Sequence, residues 1–120
     1  MGALSVTVDA HTVPVVVTLV GELDLATATG LRLALENVLA DSPASVVIDL
    51  AALGFIDASG LAVLATARQA LRLRGGELVV RHPSPTLRKM LTITSLAAMV
   101  QEATDAALVQ QPPESTVEDT

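Results

Sequence analysis

The chain contains no cysteine, no tryptophan and no tyrosine, and Phe55 is its only aromatic residue. Without cysteine there is neither a disulfide framework nor thiolate chemistry. Without aromatic faces there is no platform on which bases or sugars stack. Basic residues are scarce as well: seven Lys and Arg against thirteen Asp and Glu leave a net charge of −6. That balance disfavours nucleic acid and anionic membrane as partners. The two histidines, His11 and His82, are far apart in sequence and form no metal-ligand cluster, so neither a metal nor a cofactor is expected. The longest apolar run, Val13 to Val20, is broken by Pro14 and Thr18. It falls far short of the roughly 20 residues a spanning helix needs. The N-terminus lacks a basic stretch followed by an apolar one, so no signal peptide is expected and the cytoplasm is the expected location.

What the chain does have is aliphatic bulk. Half of its 120 residues are apolar, mostly Val, Leu, Ala and Ile. That is enough for one domain with a real core and too little for two. The expected domain covers 1–111. Beyond it, Pro112-Pro113 opens a polar, acidic end (112–120) that reads as a disordered tail.

In chain order, Ser5 to Asp9 alternates and is β-branched, so it reads as a strand, and Val13 to Leu19 reads as a second. The short His11-Thr12 connection makes them an antiparallel pair. Gly21-Glu22-Leu23-Asp24 is expected to break the run. Leu31, Leu35, Val38 and Leu39 have helical spacing, with Thr27 or Thr29 as the cap and Asp41-Ser42-Pro43 as the end. Ser45 to Leu50 is a nearly continuous apolar strand, which suggests that both its faces are covered. Gly60, Val63, Leu64, Ala67 and Leu71 share one face of a helix running to Arg74, stopped by Gly75-Gly76. Glu77 to Arg81 is the next strand. Strand, helix and strand in this order form a βαβ unit, so the two strands should be parallel. Ser84-Pro85 caps a short helix through Leu91. A last strand over Leu96 to Val100 and a last helix from Thr104 to Gln110 complete the reading.

The stretch of greatest interest is Phe55-Ile56-Asp57-Ala58-Ser59-Gly60-Leu61, where a strand feeds a helix start. Such a junction leaves N–H groups unpaired and favours a negative group nearby. Asp57 as cap, Ile56 and Leu61 as a hydrophobic staple, and Ser59 as a merely solvated residue would explain it structurally. Alternatively Ser59 is a switch, since a phosphate there would change the charge a partner meets. A nucleophilic serine is poorly supported: the Gly-x-Ser-x-Gly elbow is absent, Asp57 standing where its first glycine would be. No glycine-loop lysine pattern supports nucleotide hydrolysis. Asp24, ending Gly21-Glu22-Leu23-Asp24, is either a capping carboxylate or a charge that receives a partner's arginine.

Val46-Val47-Ile48-Asp49-Leu50 followed by Phe55-Ile56-Asp57-Ala58-Ser59-Gly60-Leu61 resembles the signature of STAS domains, the anti-sigma factor antagonists of bacteria. Gly21-Glu22-Leu23-Asp24 resembles their other marker, and Gly75-Gly76-Glu77-Leu78-Val79-Val80 their glycine-bounded strand. The resemblance covers about Ser5 to Gln110. It implies an α/β fold: a mixed four- to five-stranded sheet with helices packed mainly on one side. It implies a regulator without catalysis of its own, in which Ser59 accepts phosphate from an anti-sigma factor serine kinase. Unphosphorylated, the protein would sequester that kinase and free a sigma factor for transcription. The implied partner surface comprises Asp24, Asp57, Ala58, Ser59, Gly60 and Leu61, with a serine phosphatase acting on phospho-Ser59 as a further candidate partner. Many members carry two adjacent serines; Ala58 leaves one hydroxyl at this turn. The alternative within the family is an accessory subunit docked on a transporter ATPase. Nothing in the sequence fixes the oligomeric state.

Overall fold

The computed structural model describes residues 2–94 and 100–101. Strands and helices follow in the order β1 (Leu4–Asp9), β2 (Val15–Leu23), α1 (Leu25–Ala40), β3 (Ser45–Ile56), α2 (Ala58–Arg72), β4 (Glu77–Arg81), α3 (Pro85–Ile93) and β5 (Val100–Gln101). The five strands form one sheet in sequence order, β1-β2-β3-β4-β5. β1 and β2 are antiparallel; every later pair is parallel. Each parallel step is therefore a strand–helix–strand crossover. Right-handed crossovers that all step the same way place their helices on the same face of the sheet.

Side-chain burial agrees. Val17, Leu19, Val46, Ile48, Leu50, Leu78 and Val80 share one core cluster with Leu31 and Leu35 of α1, Leu64 and Leu71 of α2, and Leu87 and Leu91 of α3. On β3 the helices of the described residues cover one face, while Val46, Val47 and Ile48 are buried in succession, as the expectation of cover on both faces requires of them. Register aligns Val16, Val47 and Val79 on the opposite face, and beside them Thr18, Asp49 and Arg81. Asp49 and Arg81 form an ion pair there at 3.2 Å. Val47 is nonetheless 4% exposed. It sits on a central strand between two valine register partners, so neighbouring strands shield it where no helix of the described residues does.

Two strands outrun their expected ends. β2 passes through Gly21 instead of breaking there, with register shifts around Val20 and Gly21. Gly21 has φ +115°, and a Cβ there would lie 2.0 Å from the Ala3 carbonyl oxygen, so the irregularity needs glycine. Glu22 N–H then bonds Ala3 O at 3.0 Å, and pairing resumes to Leu23. β3 likewise runs on from Leu50 to Ile56, because the extended β2 supplies partners for Ala52, Leu53, Phe55 and Ile56. α2 ends at Arg72, with Gly75 at φ +81° and Gly76 N–H bonded to Leu71 O. Ser84 caps α3 through Leu87 N–H, with Pro85 in the first turn. Of the expected strand Leu96 to Val100, Val100 lies in β5, which continues to Gln101; residues 96–99, the helix from Thr104 and the tail after Pro112 lie outside the described residues. Among the described residues no helix is long and apolar enough to cross a membrane.

Candidate functional site

The tips of β2 and β3 carry the two sequence markers and lie side by side. Leu23 and Ile56, the last residue of each strand, are partners in the parallel ladder. A single residue separates each tip from its helix: Asp24 before α1 and Asp57 before α2. The Asp57 N–H donates to the Leu23 carbonyl at 3.1 Å and ties the second junction to the first. Two helix N-termini thus open at the same end of the sheet.

Both aspartates are caps in extended conformation. Asp24 Oδ1 accepts from the N–H groups of Ala26 (3.0 Å) and Thr27 (3.2 Å), and the Thr27 hydroxyl accepts from Asp24 N–H at 2.9 Å. This is a reciprocal capping box. Thr27 Oγ1 also donates to the Glu22 carbonyl at 2.9 Å, fastening the helix to the strand that precedes it. The expectation that Thr27 or Thr29 caps α1 is corrected: pairing carries β2 to Leu23, so the cap falls on Asp24, and Thr27 is the third helical residue. Asp57 Oδ1 accepts from Gly60 N–H at 3.1 Å.

Ser59 is the second residue of α2. It is partly exposed, and among the described residues its hydroxyl has no hydrogen-bond partner. The Asp57 cap engages Gly60 N–H and leaves those of Ala58 and Ser59 without a capping side chain. Ala58 is exposed. Gly60 explains why the junction is tight: a Cβ there would lie 2.5 Å from Leu23 Cγ, 2.8 Å from Leu23 Cδ2 and 3.0 Å from Ile56 Cγ1. The helix start rests directly on the two strand tips, which only glycine permits. Ile56 and Leu61, on either side of the cap, are both buried in the core, as a hydrophobic staple requires. Gly60 and Leu61 therefore position the turn from within, while Asp24, Asp57, Ala58 and Ser59 reach its surface.

The surface has two further properties. Asp24, Asp57 and Glu22 are all partly exposed, and among the described residues the ion pairs, Arg32–Glu36 and Arg81–Asp49, involve none of them. No group of His, Cys, Asp and Glu among those residues is arranged to hold a metal. Two apolar side chains also stand exposed at the junctions: Leu25, the first residue of α1, and Phe55, immediately before the β3 tip. Residue pattern alone does not single out Leu25. The signal for Phe55 is its being the only aromatic residue in the chain.

The STAS domain family matches residues 5–119. A crystal structure of an anti-sigma factor antagonist from Mycobacterium paratuberculosis is 34% identical, with a TM-score of 0.76, covering 88% of this chain and 91% of that one. The anti-sigma-F factor antagonist RsfB of Mycobacterium tuberculosis is 43% identical over 63 residues, 52% of each chain. That match spans about half the length of the curated relative. Unphosphorylated SpoIIAA shares the fold at a TM-score of 0.74 and 24% identity, covering 85% of this chain and 90% of its own. The phosphorylated form of Bacillus SpoIIAA shares it at 0.68, with 24% identity, covering 85% and 94%. The chain belongs to the STAS domain family, and its mixed sheet with helices on one face is the fold of those structures.

Proposed function

We propose that this chain is an anti-sigma factor antagonist, a non-catalytic binding switch of the cytoplasm controlled by phosphorylation of Ser59. The observation that carries the reading is Ser59 itself: a partly exposed residue in the first turn of α2, whose hydroxyl has no hydrogen-bond partner among the described residues, at the end of the sheet where two capped helices start. The names of the mycobacterial relatives support the partner class. With Ser59 bare, the surface formed by Asp24, Asp57, Ala58 and Ser59 docks on an anti-sigma factor that is also an ATP-using serine kinase. Docking competes the sigma factor away. The kinase then transfers the γ-phosphoryl group of ATP to Ser59 Oγ; the bond to ADP breaks and the hydroxyl proton passes to the kinase. A serine phosphatase resets the switch by hydrolysis.

The phosphate adds about −1.5 to −2 charge at neutral pH. It arrives beside Asp57, the cap whose carboxylate oxygen accepts from Gly60 N–H. Disrupting a desolvated, charge-paired contact costs about 2–5 kcal/mol, which weakens binding tens- to thousands-fold. The fold should survive, since a helix N-terminus favours negative charge.

The test is intact-mass measurement after incubation with the candidate kinase and ATP, with affinity measured for Ser59→Ala and Ser59→Asp. The expected result is a gain of one phosphate, mapped to Ser59, and loss of binding by Ser59→Asp. Parent-like binding by both variants, or a phosphate on another hydroxyl, overturns the switch.

A further inference from the structure

We infer that Phe55, assisted by Leu25, is the apolar anchor on which the anti-sigma factor seats, and that its counterpart is an apolar pocket rimmed by basic side chains. The inference rests on the docking role proposed above for the Ser59 surface and assigns affinity to residues other than the switch itself.

The core is wholly aliphatic, its largest fully buried side chains being leucines and isoleucines. The one aromatic residue is kept out of it: Phe55 is 48% exposed, one residue before the buried Ile56. Alternation along β3 explains how. Ile56 points to the helices, so Phe55 points to the opposite face, where its register partner is Glu22. Leu25 is 76% exposed at the first position of α1, where the helix dipole would favour an acidic or small polar residue. A single exposed apolar residue needs no explanation. These two flank the paired tips Leu23 and Ile56, on the same junctions that carry Asp24 and Asp57.

The arrangement matches the energetics of protein recognition. Aromatic residues packed into a desolvated pocket carry most of the affinity, and polar neighbours around them exclude water and set specificity. The register partner of Phe55 is Glu22, and Asp24 and Asp57 cap the two helix starts that follow the strand tips; these three carboxylates form no ion pair among the described residues. Charge complementarity therefore calls for lysine or arginine at the rim of the partner's pocket.

The experiment measures affinity for the anti-sigma factor encoded in the same genome, by calorimetry, for Phe55→Ala, Phe55→Leu, Leu25→Ala and Ser59→Asp. Phe55→Ala should weaken binding at least about 30-fold and Leu25→Ala about 5-fold, while Phe55→Leu recovers most of the loss. Thermal melts keep folding separate, and Leu25→Ala removes an exposed side chain with no risk to the core. If Phe55→Ala and Leu25→Ala bind like the parent while Ser59→Asp does not, the anchor is refuted and the switch stands. If Ser59→Asp binds like the parent while Phe55→Ala does not, the anchor stands and the switch is refuted. Should light scattering show a parent dimer that Phe55→Ala converts to monomer, with anti-sigma affinity unchanged, the patch belongs to a second copy of this chain and the inference is overturned.

Discussion

Adding one methyl group to Gly60 and adding one to Gly30 are the same chemical change in a helix, yet they should move stability in opposite directions. At Gly60 the new Cβ would lie 2.5 Å from Leu23 Cγ, about 1 Å inside ordinary contact. Leu23 cannot retreat: it is fully buried, and its backbone pairs with Ile56 and accepts the Asp57 N–H bond. Ile56, also close, is buried on the same terms. Overpacking of this kind costs about 1–3 kcal/mol. The rigidity of both neighbours argues for the upper half of that range, and helix propensity returns about 0.8–1 kcal/mol. The net is a loss of about 1–2 kcal/mol, or ~4–8 °C in melting temperature for a domain of this size. Gly30 lies on the exposed side of α1 with nothing within 4 Å of its would-be Cβ. Only the propensity gain applies there, so Gly30→Ala should raise the midpoint by about 2–4 °C. Differential scanning calorimetry of the two variants beside the parent decides it. A Gly60→Ala midpoint at or above the parent's would refute the claim that the helix start rests on the strand tips. The same variant should also lose partner affinity, because relief of the clash lifts the turn that carries Ser59.

Asp24→Ala removes both acceptor bonds of the α1 cap and should cost about 1–2 kcal/mol by chemical denaturation. Asp24→Asn keeps a capping oxygen and should recover most of that stability, so any loss of partner affinity that remains in it reports the charge alone; equal destabilisation by both would refute the capping role. Arg81→Ala breaks a partly exposed ion pair on the open face of the sheet and should cost less than about 1 kcal/mol, with the difference from the parent shrinking as salt rises. A penalty that persists unchanged in high salt would place the Arg81 contribution in packing of its stem instead.

Elements with strong local signals were legible in the sequence: the β-branched alternation of β1, the apolar face of α2, the Ser84-Pro85 start of α3 and the parallel β3–β4 pair. The strand ends were not, for a common reason. Ala51 to Gly54 has no β-branched residue and Gly21 is a local breaker, yet both segments are strand because each pairs with the other. That pairing is a tertiary effect with no local code. It also explains the misplaced cap of α1, since strand pairing up to Leu23 moves the helix start to Asp24. The apolar run of β3 foretold burial on both faces but not its source, because such a run cannot distinguish a face under helices from one shielded by flanking valines, as Val47 is by Val16 and Val79. At the site, Asp57 as the cap of α2 was readable from the motif. The reason for Gly60 was not, because it lies in an approach to Leu23, a residue on another strand.

The same geometry explains why a phosphate at this point would act on a complex and spare the fold. The bonds that hold the junction run through Asp24, Thr27, Asp57, the Leu23 carbonyl and the close packing at Gly60. None of them uses the Ser59 hydroxyl, so modifying it removes no bond among the described residues. The helix dipole favours the added charge by about 0.3–1 kcal/mol, and repulsion from the solvated Asp57 opposes it on a similar scale. In the free chain the two nearly cancel, with water screening both. In a complex that seals Phe55 and the carboxylates from water, the screening is gone and the phosphate must be accommodated against a fitted surface. The penalty there is about 2–5 kcal/mol. A serine bonded into the cap could not serve in this way, because phosphorylating it would disturb the helix start whether or not a partner were present.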